Sequence, residues 1–136
     1  MANWQLYVLV LTLFLVPLLV VPTLGAALVQ FALRWAGVTL TYGKCWKAHL
    51  AACCYSYLAL MPLGWFINRA VANSGSTIAP GNLQLVHLGL FCLAQVAIVP
   101  LWLKHFSPRA LGLQGAAVIV SNLLTFVLVM QLRAGG

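Results

Sequence analysis

Aspartate and glutamate are both absent from this chain of 136 residues. Paired carboxylates for glycoside chemistry therefore cannot exist, and no Ser-His-Asp triad can be assembled without its acid. A membrane-embedded acid, the usual carrier of protons or cations across a bilayer, is missing too. Small four-helix exporters of cationic drugs rely on such a residue, so that class loses its central group, as does a proton-coupled pump. Neither a GxGxxG nor a P-loop occurs. There are only four cysteines and no CxxC pair, which predicts thiols at Cys45, Cys53, Cys54 and Cys92 rather than a disulfide framework.

Hydrophobic residues, by contrast, make up 64% of the chain. A soluble domain of that composition would precipitate, so the sequence reads as an integral membrane protein. Its length allows three to five spans of about 20 residues each and no soluble domain besides. The apolar runs are continuous rather than alternating, which argues against a β-barrel.

Four spans are predicted, making one all-α, membrane-embedded domain over residues 1–136. The first covers about residues 5–33, within an apolar run from Trp4 to Leu33. It is roughly 45 Å of helix, longer than a ~30 Å hydrocarbon core but too short for two crossings. Pro17 and Pro22 lie inside it and predict a kink, a tilt or a short break. Without a basic leader, and at this length, it does not read as a cleaved signal peptide. The second span is expected at about 46–67, after a polar link that ends at Gly43-Lys44. A polar loop follows from Asn68 to Gly81, with Asn73-Ser-Gly-Ser-Thr77 and Pro80-Gly81 as turn residues. The third span covers about 83–103. Ser107 and Pro108 then suit the N-cap and first position of the fourth, at about 110–132. Trp4, Trp35, Trp46, Trp65 and Trp102 all fall near predicted span ends, where indole rings seat at headgroup level.

All seven charges are basic and scattered singly at the ends of apolar runs. Nucleic-acid binding wants a clustered face, so no nucleic-acid partner is expected. Five of the seven (Arg34, Lys44, Lys47, Lys104 and Arg109) fall in the two links at 34–47 and 104–109, against Arg69 and Arg133 on the other side. The positive-inside rule then puts both links in the cytoplasm and both termini outside, which in a bacterial inner membrane means the periplasm.

Candidate sites are few. Ala48, Ala52, Ser56 and Ala59 in the second span, with Gly112, Gly115, Ala116, Ala117 and Ser121 in the fourth, have the small-residue spacing that lets helix backbones approach in lipid. Gln95 and Asn122 sit near the middle of spans three and four and can bond to each other, or else line a polar pocket. Cys45, His49 and Cys53 follow one another at four-residue steps on one helix face, with metal-ligating chemistry and His105 on the same predicted side. They cover about 12 Å of helix, so at most an adjacent pair could reach one ion; simple packing is the plainer reading. His49 and His87 are about 15–20 Å apart in depth and cannot sandwich one haem. A single contact to a pigment, haem or quinone through His87, His49 or Gln95 stays open, with Phe91 one turn beyond His87 on the same face.

The expected function is that of a small non-catalytic accessory subunit, packed against larger subunits of an energy-converting, photosynthetic, respiratory or transport complex and in contact with lipid. The alternatives are a cofactor-holding subunit and a small anion-permeable channel.

Overall fold

The computed structural model describes residues 3–75, 77 and 80–135; the side chains of residues 6, 9–17, 80, 81, 84, 132 and 133 are not among those described. Four helices account for nearly all of it: α1 (Asn3–Trp35), α2 (Tyr42–Ser74), α3 (Pro80–Leu103) and α4 (Pro108–Ala134). No strand occurs among the described residues, and all four helices are long and apolar enough to cross a membrane. The protein is thus an all-α polytopic membrane bundle. Only helices can satisfy every backbone N–H and C=O within a single span, which is why so apolar a chain folds this way.

α1 is one continuous helix through Pro17 and Pro22. The side chains of Pro17 and Arg133, and all of Ser76, lie outside the described residues. α2 differs from expectation: residues 68–74, expected in a polar loop, continue the helix to Ser74. Apolarity marks how much helix lies in lipid, but a helix already nucleated extends through polar residues until something stops it. Here the stop is Gly75, whose left-handed φ of 65° costs a glycine little.

The two short links are shaped by local chemistry. α1 ends in a Schellman motif, with Val38 N–H donating to Leu33 O at 3.0 Å and Gly37 N–H to Arg34 O at 3.0 Å. Gln30 Nε2 donates to Leu40 O at 2.9 Å, tying the link back onto α1. The Tyr42 hydroxyl donates to Thr23 O at 2.9 Å and fastens the start of α2. At the second link, Ser107 has extended dihedrals and its Oγ accepts from Ala110 N at 3.2 Å, with Pro108 opening the helix. This is the N-cap expected from the sequence.

Each helix packs on its neighbours in sequence, and α4 closes the ring against α1; among the described residues the diagonal pairs do not pack. The buried residues recur at helical spacing: Pro22, Ala26, Val29 and Leu33 on α1, and Cys45, Ala48, Ala52, Cys53 and Ser56 on α2. Among the described residues the core sits toward the end of the bundle that carries the links. No described residue is buried before Val21 in α1, after Ser56 in α2, before Gln95 in α3 or after Asn122 in α4.

Candidate functional site

The boundary between the packed and the open half is a polar layer across three helices. Asn122 Nδ2 on α4 donates to Gln95 Oε1 on α3 at 2.7 Å, and also to Val118 O at 2.9 Å. Gln95 Nε2 in turn donates to Cys53 Sγ on α2 at 3.4 Å. The Gln95–Asn122 bond is the pairing that their similar depth suggested. Gln95 is fully buried, and an amide in hydrocarbon gains most from a partner that water cannot replace. Asn122→Leu is expected to lower stability by only ~0.6 kcal/mol, the average for interhelical bonds in membranes. Thermal unfolding in mild detergent reads this; a collapse of the fold would show the layer to be a keystone.

On the terminal side of this layer the bundle opens into a cavity of about 660 Å³. All four helices line it, mostly with apolar and aromatic side chains, together with Asn68, His87, Asn122 and Thr125. Tyr57 and Phe91 form part of its wall, their ring centroids 4.8 Å apart. His87 lies against Gly64, where a Cβ would come within 3.0 Å of its Nε2. The absence of a side chain at residue 64 is therefore what lets the imidazole sit there. Cavities of ~300–1,000 Å³ that are mainly apolar with a few polar groups are the usual form of a small-molecule site.

The remaining candidates are placed elsewhere. His49 is fully buried, its ring pressed against Gly25 of α1, and neither ring nitrogen has a hydrogen-bond partner. It does not border the cavity, and neither does Gln95, so of the three cofactor candidates only His87 does. Cys45 and Cys53 are buried on the same stripe of α2, and all four cysteines are free thiols. His105 lines a separate pocket of about 350 Å³ with Lys44, Lys47 and Trp102. Among the described residues no group of three or more His or Cys side chains is placed to hold a metal ion.

The small-residue faces are placed unevenly. Ala48, Ala52 and Ser56 are buried, as are Gly115, Ala117, Ser121 and Asn122. Ala59, Gly112 and Ala116, expected with them, are exposed. Ala59 lies beyond Ser56, where α2 leaves the core, and Gly112 and Ala116 point off the stripe that carries Ala110, Gln114, Ala117 and Ser121. Small size permits close approach without dictating it.

Two functional positions were not singled out from the sequence. Gln114 is fully buried, and its Nε2 donates to His105 O and Ala110 O, both at 3.1 Å, so it staples the second link to α4. A lone amide inside an apolar run was the available signal. Gly25 carries no such signal, since only its neighbour across the interface makes it special.

Compared with known protein families, curated proteins and solved structures, the chain matches none.

Proposed function

We propose that this protein is a small non-catalytic subunit that packs laterally against larger membrane subunits and stabilises or helps assemble their complex. The observation that carries the reading is the outer half of α1. Of its described side chains between Asn3 and Val20, those of residues 3–5, 7, 8 and 18–20, none is buried within the bundle. Trp4, Tyr7 and Leu19 are all exposed along it. The aromatic and aliphatic side chains described there offer their surface to lipid or to a neighbouring subunit. The acid-free, basic links suit an acidic partner surface or anionic headgroups, each Lys or Arg near a membrane contributing ~1 kcal/mol. In this reading the links face the cytoplasm of a bacterial cell and both termini the periplasm.

The test is gentle extraction of the native membrane with a carboxyl-terminal tag, and identification of what co-purifies. Defined larger subunits at fixed stoichiometry are expected. Recovery of the chain alone, with the complement of other membrane proteins unchanged in its absence, would overturn the proposal. A second reading is favoured by the cavity beside His87, namely that the subunit holds a pigment, haem or quinone there; a visible or near-ultraviolet absorption band in the same sample is its sign.

A further inference from the structure

The lining of the 660 Å³ cavity extends along α2 from Tyr57 to Asn68, which is about 16 Å of helix rise. Its walls are apolar side chains such as Leu60, Met61, Phe126 and Val129. An elongated apolar space of this depth within a bilayer suits one hydrocarbon chain better than a compact polar solute.

One end of it is marked by charge. Arg69 directly follows the lining residue Asn68, and its guanidinium stacks over the ring of Trp65, another lining residue, 5.0 Å from the centroid. Arg69 is exposed, and the chain has no aspartate or glutamate side chain to neutralise it. An anionic headgroup can supply the neutralising charge. A guanidinium braced on an indole keeps its forked donors free for phosphate, which it binds through paired hydrogen bonds. Trp65 also marks the depth at which headgroups begin.

We propose that this cavity is a lipid site: one acyl chain of an acidic phospholipid lies along α2, and its phosphate pairs with Arg69. The polar layer of Cys53, Gln95 and Asn122 closes the deep end, so the tail stops at a floor of already bonded amides. The inference does not depend on the accessory-subunit reading, since a lipid can fill the cavity whether or not larger subunits bind.

The experiment uses the full chain in mild detergent, offered equal amounts of phosphatidylglycerol and of diacylglycerol with identical acyl chains, the second lacking the phosphate. Native mass spectrometry reads the ratio of retained lipids. Phosphatidylglycerol is expected to dominate by about tenfold, the equivalent of ~1.4 kcal/mol from one charge-assisted contact. Arg69→Gln should bring the ratio close to one, while Lys47→Gln, at the other end of α2, should leave it unchanged. Leu88→Trp, which fills the cavity, should remove both lipids; if that variant does not melt as a folded protein, Val129→Phe replaces it. Equal retention of the two lipids, an Arg69→Gln ratio like the parent's, or a filled cavity that still retains lipid would each overturn the proposal. So would displacement of phosphatidylglycerol by a lower concentration of decylubiquinone, which would assign the site to a neutral head at His87.

Discussion

Gly25→Ala is expected to destabilise the bundle more than any other addition of a single methyl. A Cβ at this position would overlap three atoms of the His49 ring: Nε2, Cε1 and Cδ2. The ring has no exposed surface, so it is enclosed on all sides where the new methyl would arrive. Overpacking of a tight interior costs about 1–3 kcal/mol, because side chains leave their rotamers and backbones shift. The loss should appear as a lower midpoint of thermal unfolding in mild detergent, followed by reaction of a thiol dye with the buried Cys45 and Cys53. The combination Gly25→Ala with His49→Ala should recover most of it, with a coupling on the order of 1 kcal/mol in a double-mutant cycle. Parental melting of Gly25→Ala alone would show that α1 and α2 do not approach this closely.

Ala52→Leu is the second large effect. Ala52 is fully buried in the middle of the α2 stripe, among the core side chains of the bundle. A leucine there must push α2 away from its neighbours, and loss of close helix approach removes the dispersion contacts that hold membrane bundles together. A cost of about 1–3 kcal/mol is expected. Val86→Leu is the matched control, because Val86 is half exposed on α3, and a lipid-facing change of this size should stay within ~0.5 kcal/mol. Equal shifts in the two variants would remove the packing face from α2.

Both effects depend on a division within the bundle. Among the described residues, the half near the links is packed and carries the buried side chains, and the half near the termini holds the cavity. Stability should therefore be carried mainly by the first, leaving the second free to accept a ligand, a lipid or a partner helix. Substitutions in the open half, such as Arg69→Gln or Leu88→Trp, are accordingly expected to change what is bound more than whether the chain folds.

The four-helix membrane architecture was legible in the sequence because it rests on length and apolarity alone, and those are properties of single segments. The second N-cap was legible for a similar reason: Ser107 and Pro108 act on the backbone beside them. The amide pair was readable because two polar groups at like depth in hydrocarbon have few other partners. The end of α2 was not, since residues 68–74 look like a loop by composition while nothing before Gly75 forbids a helix. His49 illustrates the same limit. Its four-residue spacing from Cys45 and Cys53 suggested ligands, yet the ring is occupied in packing on a glycine 24 positions earlier in the chain.

By itself, then, the sequence determined the class of the molecule, its four spans and the chemistry it lacks, because composition and local backbone preference act within a segment. Only the tertiary structure decided that Gly25 receives His49, that Gln114 holds a link, that Gly112 faces outward, and that Trp65, Asn68 and His87 border one cavity with Arg69 beside it. Those facts depend on how each helix is rotated about its axis and where its neighbours stand, and in lipid, where nearly every face of these helices is apolar, hydrophobicity does not select the rotation. Close packing and the few buried hydrogen bonds select it, and both are relations between residues far apart in the chain.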